Sequence, residues 1–421
     1  MVRDRLENKY DWVVVAIYAL LVLVGWVSIY AADYDPDVTG SIFNISQNSG
    51  KQLLFIASAG LLITGIYFID AKLFDTFSWV FYAIFILLLI IVLLFGKEVA
   101  GSRSWFELGS FRLQPSEFTK FCTILALAKF LGPGRNLDDI KTLSLAAGIF
   151  LLPMGLILLQ GDAGTALVFT SLIIVLYREG LSPLFIIAPL ILLVIFLLTL
   201  LVNKTALISA VVILTLLGIG LSLRSIKQVG IIIGLAVLVI ATVQSVDFVL
   251  SDVLKPHQQR RITLLVNPNV DPQGAGWNVM QSKIAIGSGG LTGKGFLNGT
   301  QTQFKFVPEQ STDFIFCTVG EEYGWLGTTA ILALFAVLLL RVLMIADRQK
   351  SGFAKVYGYG VASILFFHFA INVSMTVGLF PVAGIPLPFL SYGGSSLWSF
   401  TIMLFVLLKF DANRAQILGR L

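Results

Sequence analysis

Apolar positions in this chain come in long unbroken runs, not in the alternation of a half-buried strand or the broken stripe of a soluble helix. Examples are "WVVVAIYALLVLVGWVSIYAA" (12–32), "WVFYAIFILLLIIVLLF" (79–95) and "LFIIAPLILLVIFLLTLLV" (184–202). Each approaches the roughly 20 residues that carry a helix across a bilayer, where every backbone polar group must be paired within the segment. Charged or turn-rich breaks divide the chain into twelve predicted helices, near 11–32, 52–70, 76–97, 115–132, 143–160, 163–178, 181–202, 205–223, 228–250, 313–344, 355–378 and 388–410. The pattern predicts an all-α fold, a polytopic transmembrane helix bundle of about 12 spans, with 1–421 forming a single integral membrane domain. The first run is too long, and too closely flanked by Asp4, Glu7 and Asp11, for a cleaved signal segment, so it is expected to persist as the first helix.

Composition agrees. Of 421 residues 57% are hydrophobic and only 13% are charged, whereas soluble domains run near a quarter charged. The net charge of +5 implies no nucleic-acid partner, because excess Lys and Arg in a membrane chain report sidedness. With the N-terminus inside, the short inside loops hold Arg3, Arg5, Lys9, Lys72, Arg135, Lys141, Arg178, Arg224, Lys227, Arg341, Arg348, Lys350 and Lys355, and the tail holds Lys409, Arg414 and Arg420. That orientation puts the longest connection, 251–312, outside together with 33–51, 98–114 and 379–387. Cys122 and Cys317 both fall in apolar context and are expected to be packing residues, not a disulfide or thiolate site.

A connection as long as 251–312 is more than a linker in a compact bundle. Its polar, glycine-laden stretch "NPNVDPQGAGWNVMQSKIAIGSGGLTGKGF" (267–296) is expected to be ordered. Met280, Ile284 and Ile286 recur at near-helical spacing, as in an interfacial amphipathic helix. Between them Gln281, Ser282 and Lys283 are candidate substrate contacts. The stretch is not a P-loop, since it lacks a glycine five residues before Gly293 and has Gly295 where Ser or Thr belongs. "DYDPDVTG" (33–40) misses the central Gly and closing Glu of a calcium loop. His257 and His368 have no partner carboxylates at zinc-site spacing, and His368 is expected to be a hydrogen-bonded packing histidine.

Charges inside spans are expensive and face a cavity or a partner. "QPSEFTKFC" (114–122) starts a helix at Pro115 and sets Glu117 and Lys120 three apart on one face, which serves either a structural ion pair or a substrate site. In "QGDAGT" (160–165) Asp162 occupies an outside turn. "STDFIFCTVGEEYGWLG" (311–327) places Asp313 at a helix start as a cap, with one of Glu321 and Glu322 turned to the bundle interior. "GLFPVAGIPLPFLSYGGSS" (378–396), rich in Pro and Gly, suits the rim of a cavity. Asp271 stands in the long loop on the same side as Arg103, Arg112, Arg260 and Arg261. Asp-Pro is a common turn opener, but a carboxylate among cations beside lipid also suits handling of a lipid-linked phosphate.

The segment 260–327, with "GIPLPFLSYGGSS", "LQPSEFTK" and "QGDAGTA", resembles the SEDS family, and "KGFLNGTQ" resembles its cell-elongation branch more than its division branch. The resemblance implies a peptidoglycan glycosyltransferase at the outer face of the bacterial cytoplasmic membrane. Such an enzyme polymerises lipid II into β-1,4 glycan strands, with undecaprenyl-pyrophosphate-linked glycan as the growing end, beside a class B penicillin-binding protein that acts as transpeptidase. Carried over by motif, Asp271 is the catalytic aspartate, Glu117 and Lys120 are the intramembrane pair, and Asp162, Arg103 and Trp105 are outside-loop positions. The chain departs from the family at Gln160-Gly161-Asp162, at Arg103-Ser104-Trp105, and in an added helical hairpin at 203–250 on a ten-span core.

Inverting an α-linked sugar diphosphate requires a base for the acceptor hydroxyl and charge stabilisation for the departing diphosphate. Asp271 is the expected base, and Arg103, Arg112, Arg260 and Arg261 are the expected cations. A divalent cation, Mg2+ or Mn2+, would assist, and no organic cofactor is called for. Two rival readings use the same features: a lipid II flippase built around the buried charges, and a scaffold that only recruits the transpeptidase.

Overall fold

The computed structural model describes residues 10–34, 41–99, 101–109, 111–221, 226–248, 250, 252, 259, 275–304 and 306–414. The chain forms two compact units, Met1–Leu181 with Asn278–Leu421, and Ser182–Trp277. In the first, α1 (Trp12–Asp33) is capped by Asp11, whose side chain accepts from the Val14 amide. It is followed by α2 (Asn48–Phe68), α3 (Ala71–Thr76) and α4 (Ser78–Phe95). Three short antiparallel strands come next: β1 (Lys97–Val99), β2 (Ser102–Leu108) and β3 (Phe111–Leu113), in the order β1-β2-β3. Then come α5 (Pro115–Leu131), α6 (Ile140–Leu159), and α7 (Ala163–Val168) and α8 (Ile173–Arg178), joined by one 3-10 turn.

The smaller unit holds α9 (Leu184–Leu201), α10 (Lys204–Leu221) and α11 (Ile226–Phe248), which pack on one another. Their outward faces are almost wholly aliphatic, with Leu184 and Leu214 among the exposed side chains, a surface suited to lipid. The larger unit resumes with α12 (Ala275–Ser288), α13 (Thr300–Gln303), α14 (Ile315–Asp347), α15 (Gly352–Thr376) and α16 (Gly394–Ala412). α5, α15 and α16 form its most buried layer, and Tyr357 of α15 donates its hydroxyl to the Met403 carbonyl of α16 at 2.9 Å. Cys122 and Cys317 are free and buried.

Helix lies at all twelve expected stretches, but among the described residues only nine helices are long and apolar enough to cross a membrane. The others are the charged α5, with 17 residues, and two shorter apolar stretches, Ala163–Arg178 and Lys204–Gly220. Length and composition therefore do not establish twelve spans. The all-α class holds, with one local exception: the connection 98–114 carries a small three-stranded sheet. Its two end strands have three residues each, too short for alternation to show in the sequence.

α14 contains one break. Gly324 adopts φ 63, ψ −155, a backbone that a side chain would strain. The break exposes backbone groups on both sides, and the loop after α12 satisfies them. Trp325 N donates to Gly290 O at 2.9 Å and Leu326 N to Leu291 O at 3.1 Å, while Lys294 N and Gly295 N donate to the carbonyls of Glu321 and Glu322 at 3.0 Å each. Segment 289–304 is thereby locked into the broken helix.

Candidate functional site

The N-termini of α5, α7, α14 and α16 and the C-terminus of α15 meet at one end of the larger unit, around the irregular segment 377–393. This segment forms the rim expected from its prolines and glycines, and its backbone groups are met by protein. Asn372 Nδ2 donates to Ile385 O and to Asp313 O, both at 2.8 Å. Tyr392 N donates to Ser311 O at 2.9 Å, and Ser391 Oγ to Thr312 O at 2.6 Å. Ala383 O sits 1.9 Å from where a Cβ on Gly164 would lie, so the rim crosses directly over the start of α7.

Asp162 occupies the N-cap of α7, as a turn aspartate should. One oxygen accepts from Thr165 N at 3.0 Å; the other accepts from Thr165 Oγ1 at 2.8 Å and from Gln114 Nε2 at 3.0 Å. Gln114 N in turn donates to Ser395 Oγ at 3.1 Å, linking α5, α7 and α16. The sheet is tied in by Arg103 N, which donates to Gln160 O at 2.9 Å. Strand alternation and the pairings Lys97 with Trp105 and Glu107 with Arg112 put Lys97, Arg103, Trp105, Glu107 and Arg112 on one face. Lys97 and Arg112 flank Glu107 at 2.7 and 3.4 Å, and Arg103 lies 3.5 Å from Glu98. The hydrogen bond from Lys97, then the charges of Lys97 and Arg112, hold the Glu107 carboxyl below the usual carboxylate range. These pairs are exposed, so the arginines are free to exchange partners for an arriving anion.

Below the rim, Glu117 and Lys120 are buried and form an ion pair, the Lys120 ammonium lying 2.9 Å from both carboxylate oxygens. Lys120 Nζ also lies 2.9 Å from His368 Nε2, and His368 Nδ1 lies 3.1 Å from Pro386 O. A carbonyl only accepts, so Nδ1 carries the proton and Nε2 accepts from the ammonium. The Phe400 ring faces Lys120 at 4.9 Å. The pair is thus satisfied within the protein and joined through His368 to the rim. It presents no open contact to a substrate, and this structural arrangement replaces the expectation of direct binding by Glu117 and Lys120.

Within α12, Gln281 and Ser282 are buried, and Ser282 Oγ donates to Thr376 O at 2.9 Å. They seat the helix and do not face solvent, while Met280 and Ile284 are exposed, as the apolar face of an interfacial helix would be. Lys283 points outward against Gly378. The Asp313 cap is also corrected: the residue before α14 is Phe314, and the Asp313 carboxylate lies 3.5 Å from where a Cβ on Gly384 would sit, against the rim.

Both Glu321 and Glu322 are buried, where one was expected. Glu321 accepts from Lys294 Nζ at 2.7 Å, Gln301 N at 2.8 Å and Thr302 N at 2.9 Å, and Glu322 from Leu297 N at 3.0 Å. Asp271, Arg260, Arg261 and His257 lie outside the described residues. Among the described residues no group of three or more His, Cys, Asp or Glu side chains could hold a metal ion.

A bundle of apolar helices with polar, cation-bearing segments gathered at one end defines a multi-pass membrane protein. The chain belongs to the FtsW/RodA/SpoVE (SEDS) family, whose model, described as cell cycle protein, matches residues 11–208 and 184–416. It is 34% identical over 438 residues to the peptidoglycan glycosyltransferase RodA of Treponema pallidum, covering 98% of this chain and 100% of that protein. It is 35% identical over 330 residues to the peptidoglycan glycosyltransferase MrdB of Escherichia coli, covering 78% and 76% of the two chains. A solved structure described as a peptidoglycan synthase complex coordinating polymerization and crosslinking superposes with TM-score 0.71 at 27% identity, covering 97% of this chain and 99% of that one. RodA of Thermus thermophilus shares the fold, with TM-score 0.63 at 24% identity, over 97% of this chain and 98% of that one.

Proposed function

We propose that this chain, a peptidoglycan glycosyltransferase of its family, polymerises lipid II into β-1,4 glycan strands for cell elongation and shape, at the outer face of the bacterial cytoplasmic membrane. The observation that carries this reading is a family match running almost the whole length of the chain, onto relatives bearing that activity in their names. The polar end of the bundle supports it: the sheet offers Arg103 and Arg112 beside Trp105, close to the Asp162 cap and the rim.

In this reading Asp271 removes the proton from the sugar 4-hydroxyl of the acceptor as that oxygen attacks the anomeric carbon of the donor. The bond to the undecaprenyl diphosphate breaks on the opposite face, which inverts the centre. Arg103 and Arg112, with Arg260 and Arg261, meet the charge that develops on the leaving diphosphate. Mg2+ or Mn2+ is proposed to arrive with the diphosphate, since the described residues offer no ligand set of their own. A class B penicillin-binding protein is the proposed partner, in keeping with the synthase complex that shares this fold.

The test uses the purified full chain and lipid II, with and without the cognate transpeptidase. Glycan strands from the wild type, and none from folded Asp271→Ala or Asp271→Asn, support the reading. Normal polymerisation by Asp271→Ala places the base elsewhere, and lipid II movement across vesicles without polymer favours a flippase. Loss of polymer in EDTA with recovery in Mg2+ supports the ion, and unchanged turnover removes it.

A further inference from the structure

The cations around the rim differ in one respect. Lys97, Arg103, Arg112 and Lys294 each lie beside a carboxylate. Lys283 has none within ion-pairing reach among the described residues, and its stem lies against Gly378. Its neighbour Ser282 is fully buried and fixes α12 to the last turn of α15 through Thr376 O. The lysine stem then crosses Gly378, the first rim glycine, whose φ is +77. A Cβ there would sit 2.2 Å from Lys283 Cε and 2.5 Å from Nζ, so any side chain there would push the lysine tip off this path. Five residues along the rim, Ala383 covers Gly164 beside the Asp162 cap, which is at most about 18 Å of extended chain away.

An exposed cation with no carboxylate in ion-pairing reach among the described residues, at the rim end of the bundle, suits a ligand that brings its own negative charge and arrives from the lipid side. Resting on the glycosyltransferase reading, we infer that Lys283 binds the diphosphate of a polyprenyl-linked substrate at the α12 side of the rim, and that Gly378 is the positioning residue that lets it reach there.

The test measures binding directly, by titrating undecaprenyl diphosphate, undecaprenyl monophosphate and inorganic pyrophosphate into the purified full chain in detergent micelles. Lys283→Ala should weaken undecaprenyl diphosphate binding about 10- to 100-fold, the range for a lost charge-assisted hydrogen bond, and Lys283→Arg should lose less. Gly378→Ala should fold, because the flexible lysine tip can yield, yet should weaken binding about tenfold by moving the ammonium. The double variant Gly378→Ala/Lys283→Ala should bind like Lys283→Ala alone, since the glycine acts through the lysine.

Wild-type binding by Lys283→Ala overturns the inference, and so does a double variant weaker than Lys283→Ala by the full Gly378→Ala factor. Equal competition by inorganic pyrophosphate also overturns it, because the site then reads a free anion and not a lipid-linked one. Lipid II polymerisation is followed on the same samples. Polymer formation with Lys283-independent binding removes only this inference, whereas Lys283-dependent binding without polymer removes only the glycosyltransferase reading.

Discussion

Lys120 shows how a single buried cation organises its surroundings. Its ammonium satisfies both oxygens of Glu117 and one nitrogen of His368, whose other nitrogen holds Pro386 of the rim. Removing one partner leaves a buried charge uncompensated, and that penalty exceeds the modest net worth of the intact pair. Lys120→Met should therefore destabilise the protein by about 3–5 kcal/mol. The neutral double replacement Glu117→Gln/Lys120→Met should recover most of the loss, because neither residue then carries an unmatched charge. Thermal unfolding in detergent reads both variants. A Lys120→Met protein that melts with the wild type would mean that these groups do not meet as described.

At the scale of elements, the break in α14 makes two stretches of chain interdependent. The loop 289–304 supplies the donors and acceptors that the helix lacks at Gly324, and the Glu321 side chain supplies the acceptors that the loop lacks at Lys294, Gln301 and Thr302. Glu321→Ala leaves the Gln301 and Thr302 amides without their acceptor, while Lys294 keeps Thr300 Oγ1, and should cost roughly 2–4 kcal/mol, at the scale of hydrogen bonds to a charged acceptor. Glu321→Gln keeps one acceptor oxygen and should cost less. Amide exchange across 294–302 should accelerate in the alanine variant while α15 stays protected; unchanged exchange at 294–302 would count against this interlock.

The sheet makes a weaker and pH-dependent contribution. Because the folded state holds the Glu107 carboxyl below its ordinary range, its contribution is present above the usual carboxylate pKa near 4.3 and fades as pH falls through the lowered folded value. The melting difference between wild type and Glu107→Gln should thus be visible at neutral pH, vanish in acid, and shrink in high salt.

These elements also show what a sequence discloses. Helices as long as α1 or α9 are legible because crossing a bilayer demands a run that nothing else in the chain resembles. The Asp162 cap is legible because capping is local: the aspartate and the Thr165 amide it accepts from are three residues apart. The link from Lys120 to His368 spans 248 residues and follows no period, so no local pattern contains it. The burial of two polar residues of α12 is hidden for a related reason. Gln281 and Ser282 look solvent-bound until Thr376, 94 residues away, is seen to accept from Ser282. The break in α14 has a visible trace in "GEEYG", where a glycine follows two acids, but only its partner loop explains it.

For the molecule as a whole, sidedness decides whether the polar end of the bundle meets lipid II at all. Counting spans from an inside N-terminus puts Asn203 outside and Arg224 inside, so α10 would cross the membrane between them. Because α11 would then return outward, the pair α10 and α11 would leave every later span facing as it would without them. Single cysteines test this with little background, since Cys122 and Cys317 are buried. Asn203→Cys in intact cells stripped of outer barriers should react with an impermeant maleimide, while Arg224→Cys should react only in inverted vesicles. A Ser104→Cys change would report poorly because Ser104 is buried in the sheet, so Glu98→Cys is the better marker for the end that carries Arg103 and Arg112. It should label with Asn203→Cys. Labelling of Glu98→Cys from the cytosolic side instead would put the cations, the rim and Lys283 where no externally assembled glycan could reach them, and the proposed chemistry would have no place to occur.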